Sequence, residues 1–226
     1  VTVLLEVHGD YNRIETLGEV TARLKDYHNF GLIWDIAHTS AYGDRWEEFY
    51  RFYRDKMLYP EAKPNAAHLK LAQWEQEGKL KAVITQNIDG LHQMAGSKMV
   101  YELHGSVLRN RCMKCRTFYD LDYVMDPENC DGYVPHCEKC GGVVKPEVVL
   151  YEESLDDGCI TGAVNAIQAA DTLIIGGTSL VVYPAAGLIR YFRGKHLVLI
   201  NKSVTQYDDQ ADLVIHDNLG SVFSQL

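Results

Sequence analysis

Residues 83–105 read VITQNIDGLHQMAGSKMVYELHG, and the change of character along this stretch decides the fold. The run KAVIT at 81–85 is apolar and β-branched, which predicts a buried strand. A polar loop, QNIDG, breaks it, and VYEL at 100–103 predicts a second strand that stops at His104–Gly105. Asn87, Asp89 and His104 therefore fall just past the carboxyl ends of apolar strands. In open α/β sheets that edge is where ligands bind. An amide, a carboxylate and an imidazole gathered there form an acid–base and orienting set. Any one of them alone is a common loop residue. The set becomes distinctive because a metal-type cysteine pattern follows it at once.

Upstream, PNAAHLKLAQWEQEGKL at 64–80 predicts a helix. Asn65 suits its N-cap, Leu69, Leu71 and Trp74 its apolar side, and Gly78 its stop. DRWEEFYRFYRDKML at 44–58 predicts a helix with one aromatic face that packs into the core. Residues 1–7 read as a buried strand, TLGEVTARLKDY at 16–27 as an amphipathic helix, and FGLIWDIA at 30–37 as a short buried piece. Only Gly9 follows the first strand closely, and one glycine does not make a phosphate loop.

Downstream, two C-x-x-C pairs, Cys112/Cys115 and Cys137/Cys140, are separated by about twenty residues, close to zinc-ribbon spacing. Two such turns aim four thiolates at one point, which suits one tetrahedral Zn2+ with Zn–S bonds of about 2.3 Å. Four cysteines leave no open position, so this zinc would be structural. Cys130 and His136 are rivals for a ligand position, but neither belongs to a paired turn. KPEVVLYEE at 145–153 predicts a strand over 145–152 whose edge suits an extended peptide. A helix over 154–170, with Cys159 buried in it, leads to DTLIIGGTSL, a strand entering the glycine turn Gly176–Ser179. A helix with Pro184 in its first turn follows. The strand–GGTS–helix unit turns backbone amides toward a phosphate, a weak signal by itself. The buried strand HLVLINKS ends at Asn201–Lys202, where a nucleotide-binding fold places a ribose-reading residue. ADLVIHD is a last strand and LGSVFSQL a last helix.

Apolar strands alternating with helices imply a doubly wound parallel sheet, with the cysteine module inserted into it. The chain has 226 residues, 46% hydrophobic and 23% charged, which suits one α/β domain plus a small insert. A net charge of -9 argues against nucleic acid as the main partner and accommodates a basic peptide. No apolar run approaches the roughly 20 residues of a membrane span. No signal-peptide succession opens the chain, and reduced, metal-type cysteines point to the cytoplasm.

Taken together, these motifs resemble the sirtuins, NAD-dependent protein deacylases, most closely the small bacterial members. The resemblance rests on TQNID at 85–89, GLH at 90–92, ELHGS at 102–106 and the two C-x-x-C pairs. KPEVVLYEE at 145–153, GGTSLVVYPAAGL at 176–188 and LINKS at 199–203 extend it, in the family's order, over roughly residues 46–226. It implies a Rossmann-like NAD-binding domain, 1–106 and 146–226, with a zinc-binding module, 107–145. It also implies transfer of the acetyl group from a substrate lysine, in a protein or peptide, to the ribose of NAD, with release of nicotinamide. His104 would be the general base on the ribose hydroxyls, directly or by relay. Gln86, Asn87, Ile88 and Asp89 would hold the nicotinamide end. Gly177, Thr178 and Ser179 would face phosphate and ribose, and Asn201 and Lys202 the adenosine end. Val148, Val149, Leu150 and Tyr151 would pair with the peptide, and the expected form is a monomer. Succinyl-preferring sirtuins carry Tyr-x-x-Arg near residue 50. Here Tyr50 is followed by Tyr53, so acetyl or an uncharged longer acyl is expected, with Arg51 and Arg54 as nearby cations. The family's GAG-serine and Pro-Asp-Phe-Arg signatures have no match in residues 5–45. The alternative expectation is therefore a weakened or inactive sirtuin-like scaffold that binds acyl-lysine peptides or a protein partner.

Overall fold

The computed structural model of the chain describes residues 45–150, 153–178, 180 and 185–226, and the backbone alone at 3–6 and 30–33. The helix expected at 16–27, with Tyr151, Ser179 and Pro184, lies outside the described residues. The chain divides into two compact units. One holds residues 1–59 and 108–154, the other 60–107 and 155–226.

The second unit is a parallel α/β assembly. Helix α2 (Ala66–Gln76) precedes β3 (Val83–Thr85), α3 (Leu91–Ala95) and β4 (Val100–Glu102), and β3 and β4 pair in parallel. Further on, α5 (Asp157–Ala169) leads to β10 (Thr172–Gly176), β11 (His196–Ile200) and β12 (Leu213–Ile215), a parallel sheet in that order, and α6 (Leu219–Phe223) closes the chain. Parallel neighbours require a crossover, which the intervening helical segments supply. Asn65 caps α2 as expected: its side-chain oxygen accepts the N–H groups of Ala67 and His68, and the His68 ring answers the Asn65 N–H. The apolar face of α2 carries Leu71 and Trp74 as expected, but not Leu69. Leu69 is 55% exposed, while Ala67, Leu71 and Trp74 pack with Ile200, Phe223 and Leu219. At 100° per residue, Leu69 points about 200° away from Leu71. The segment 185–191, expected as part of a helix, is helical and of the 3-10 type.

In the first unit, β1 (Val3–Glu6) and β2 (Phe30–Ile33) pair in parallel, so the piece expected at 30–37 holds a strand. Helix α1 (Trp46–Phe52) runs on into a π-turn at Tyr53–Met57. Phe49, Tyr50 and Tyr53 are completely buried, and their rings meet edge-on or stacked at 5.1–5.8 Å. That is the aromatic face expected from the sequence. A buried tyrosine hydroxyl usually finds a partner: that of Tyr50 donates to the Val144 carbonyl, whereas that of Tyr53 meets none among the described residues. Strand β5 (Gly105–Cys112) enters this unit and lies between β6 (Phe118–Tyr119) and β9 (Val144–Val148). Helix α4 (Leu121–Met125) leads to the small antiparallel pair β7 (Cys130–Asp131) and β8 (Val134–Pro135). Of the strand expected over 145–152, the described part is β9, which ends at Val148. Glu153 accepts the Leu150 N–H at 2.9 Å and returns its own N–H to the Leu150 carbonyl.

Candidate active site and metal centre

The QNID loop is held by the strands it joins. The Thr85 hydroxyl accepts the Asn87 N–H at 3.0 Å, and the Leu103 N–H reaches the Thr85 carbonyl. The Ile88 carbonyl accepts the Val107 N–H at 3.0 Å, which draws the loop against the start of β5. Asp89 accepts the Leu91 N–H at 3.0 Å. Asn87 is exposed, whereas Ile88 and Asp89 are half-buried. His104 sits beside this loop with Nδ1 3.1 Å from the Gln86 carbonyl oxygen. A carbonyl only accepts, so Nδ1 carries the proton and the Nε2 lone pair is left as an acceptor. The ring is thereby set in the tautomer a general base needs.

A pair of histidines adjoins the loop. The His68 and His92 rings lie 4.6 Å apart, and the buried His92 Nδ1 has no hydrogen-bond partner among the described residues. Burial lowers both pKa values; for His92 the neighbouring His68 lowers it further, while Asp89 opposes the shift in each and Glu102 in His92. The sequence signal was slight: one histidine inside GLH and one three residues past a helix cap.

The glycine turn lies at the carboxyl end of β10. Gly177 has φ +65°, a left-handed conformation that glycine adopts freely, and its N–H bonds the Ile200 carbonyl at 3.0 Å. The Thr178 hydroxyl accepts the Leu180 N–H at 3.2 Å. Asn201, one strand over, gives its N–H to the Ile215 carbonyl and its side-chain amide to the Ser203 carbonyl, and Lys202 is exposed. Hydrogen bonds join Gln86 to His104, and Gly177 to the end of β11. The two groups occupy carboxyl ends of parallel strands within one unit.

Of the expected peptide edge, Val148 and Leu150 are buried and Val149 is half-buried. Lys145 donates to the Val148 carbonyl at 3.3 Å and pairs with Glu153 at 3.0 Å. Both backbone groups of Leu150 are taken by Glu153. No bond to the N–H or C=O of Val149 is formed among the described residues.

The sulfurs of Cys112, Cys115, Cys137 and Cys140 lie within 4.8 Å of one another. The Cys112–Cys140 and Cys115–Cys137 separations are 3.4 and 3.5 Å. Four 2.3 Å bonds at tetrahedral angles need about 3.8 Å between sulfurs, so the donor set fits zinc. The Lys114 and Cys115 N–H groups lie 3.4 Å from Cys112 Sγ, and the Tyr119 hydroxyl lies 3.0 Å from Cys137 Sγ. The Thr117 hydroxyl and N–H pull the Cys115 thiol down to about 6. Gly142 keeps the second knuckle close, since a Cβ there would stand 3.0 Å from Cys112 Sγ. Neither rival joins the cluster. Cys130 takes an Arg54 N–H at 3.1 Å, and His136 Nδ1 faces the Gly141 carbonyl. Cys159, expected to be buried, is half-buried on α5. Arg54 also donates to the Val124 and Tyr133 carbonyls, and Arg51 pairs with Glu47.

Among the described residues no helix is long and apolar enough to cross a membrane. The model of the Sir2 family matches residues 33–184. The NAD-dependent protein deacetylase of Clostridium acetobutylicum is 62% identical over 187 residues, 83% of this chain and 75% of that protein. That of Clostridium perfringens is 65% identical over 181 residues, 80% of this chain and 72% of its own. A solved structure of Sir2 with a p53 peptide and NAD+ superposes with a TM-score of 0.72 at 40% identity, over 79% of this chain and 75% of that one. A Sir2 complex with the inhibitor EX-527, 2'-O-acetyl-ADP-ribose and deacetylated p53 peptide gives 0.71 at 39%, over 79% and 77%.

Proposed function

The chain belongs to the Sir2 family, and from that premise we propose that it is an NAD-dependent protein-lysine deacetylase. The reading is carried by one observation: His104 is held by the Gln86 carbonyl in the tautomer that leaves Nε2 open, directly beside the QNID loop. NAD, when bound, would supply an electrophilic ribose carbon, to which the acetyl oxygen of the substrate would bond as the bond to nicotinamide breaks. His104 Nε2 takes up the proton of a ribose hydroxyl. Asn87 and Asp89, with Gln86 and Ile88, hold the nicotinamide end in register. Gly177 and Thr178, with Ser179, offer backbone amides and hydroxyls to phosphate and ribose, and Asn201 and Lys202 receive the adenosine end.

Peptide recognition follows from the segment after β9. The N–H and C=O of Val149, unengaged among the described residues, would give an extended peptide one residue of strand pairing, with Val148, Leu150 and Tyr151 beside it. Acetyl is favoured over succinyl, because Arg54 is committed to carbonyls and Cys130 and Arg51 to Glu47, so neither is free to clamp a carboxylate. Cys112, Cys115, Cys137 and Cys140 would hold a structural zinc that staples its own unit. None of the six cysteines is in a disulfide, which supports a reducing, cytoplasmic setting. The net charge of -9 favours basic peptides over nucleic acid.

The direct test is mass spectrometry of a reaction of the chain with NAD and an acetyl-lysine peptide. The expected products are deacetylated peptide, nicotinamide and acetylated ADP-ribose. Unchanged peptide, or ADP-ribose attached to protein in its place, would refute the reading.

A further inference from the structure

Asn201 follows β11 and His216 follows β12, and the His216 ring ties the two strand ends together. Its Nδ1 lies 3.1 Å from the Asn201 carbonyl oxygen and its Nε2 3.2 Å from Asp208 Oδ2. Both partners only accept. The carbonyl has no proton, and the Thr205 hydroxyl, with further help from His216, holds the Asp208 carboxyl below its ordinary range. A neutral imidazole has one N–H and satisfies one of these partners; an imidazolium satisfies both.

The contacts continue beyond the ring. Asp208 Oδ1 accepts the Thr205 N–H at 2.9 Å and its hydroxyl at 2.6 Å. The next side chain, Gln206, donates to the Leu180 carbonyl at 2.8 Å. Leu180 sits at φ +57°, and its N–H goes to Thr178. A path of hydrogen bonds and one peptide link, Thr205 to Gln206, thus runs from His216 through Asp208 to Leu180 and Thr178, and a second contact runs directly to Asn201.

We propose that His216, through the contacts of both its ring nitrogens, is a positioning residue for the cofactor: it fixes the loop 201–208 that carries Asn201 and Lys202 and, through that loop, braces the Thr178 turn. The assignment rests on the reading of Asn201 and Thr178 as cofactor-facing. Asp208 is the charged group set against the ring. Asp217 adjoins it in sequence, Asp209 lies on the neighbouring turn, and Lys202 follows Asn201. His216 is exposed, so its replacement leaves the core intact.

Calorimetric titration with NAD from about pH 6 to about pH 8.5 spans the range in which an imidazole changes charge. Wild type, His216→Gln and Asp208→Asn are compared, with acetyl-lysine peptide affinity measured alongside. Wild-type NAD affinity is expected to fall about threefold as pH rises, the size of a partly exposed charge pair. His216→Gln should bind at the weaker level throughout, with the slope gone, and peptide affinity should not move. An equal slope in His216→Gln would overturn the assignment. If the wild type binds no NAD at any pH, the cofactor reading itself fails. The brace is then decided by nuclear magnetic resonance. The Lys202 amide shares its peptide unit with the Asn201 carbonyl, and it should shift with the His216 ring midpoint in wild type and stay fixed in the variant. A Lys202 resonance indifferent to that midpoint would overturn the brace.

Discussion

His104 and Gln86 are bound to each other across the loop that separates their strands: the ring Nδ1 stands 3.1 Å from the main-chain carbonyl oxygen. Because the partner is a backbone atom, substitution at residue 86 leaves it in place, and the contact is tested at residue 104. An asparagine there keeps a donor for the carbonyl but has no basic nitrogen. His104→Asn should bind NAD and peptide as wild type does while turnover drops about 10²–10⁴-fold, the usual worth of a positioned base. Binding affinities and kcat measured together check this.

The Tyr119 hydroxyl lies 3.0 Å from Cys137 Sγ. Donated to a metal-bound thiolate, this hydrogen bond spreads its charge and holds its orientation. Tyr119→Phe should lose zinc to a chromophoric chelator about tenfold faster than wild type, with a similar circular dichroism spectrum before the chelator is added. An unchanged release rate would mean that the hydroxyl does not act on the metal.

His68 and His92 resist protonation in the fold, first because burial disfavours the charge; both pKa values lie below the ordinary 6.5. Below that value the unfolded chain binds protons that the folded chain refuses. Stability from these rings is therefore complete above about pH 6.5 and is lost as pH falls through the lowered folded values. Urea midpoints should decrease on acidification through this window, and the decrease should be smaller in His68→Gln. A variant with an identical pH dependence would assign the effect to other groups.

Tyr50 is wholly buried and gives its hydroxyl to the Val144 carbonyl. Tyr50→Phe leaves that carbonyl without its donor, at a cost of about 1–3 kcal/mol in unfolding free energy. Thermal denaturation of the two proteins measures it.

Local chemistry was legible in the sequence. Asn65 announced a helix cap, the aromatic spacing of 46–53 announced a buried face, and two cysteine pairs announced one cluster. What escaped were consequences of contacts distant along the chain. Leu69 was assigned to the buried side of α2, but Phe223 and Ile200 select the face through Ala67 and Leu71. The apolar run after Pro146 read as one strand, but β9 ends at Val148 and the Leu150 N–H goes to the Glu153 carboxylate instead. In the candidate site, the QNID residues and His104 could be named from their place after strands. The bond that selects the His104 tautomer could not, since it joins residues 18 apart. The His68–His92 contact and the His216 path were hidden for the same reason.

The central claim is that His104 Nε2 removes a proton during acetyl transfer from lysine to NAD. The most direct measurement is single-turnover formation of the acetylated ADP-ribose product, with wild type and His104→Ala saturated with NAD and acetyl-lysine peptide. The expected result is a normal product burst in wild type and a rate at least about 10²-fold lower in the variant. Equal rates in the two proteins would contradict the claim.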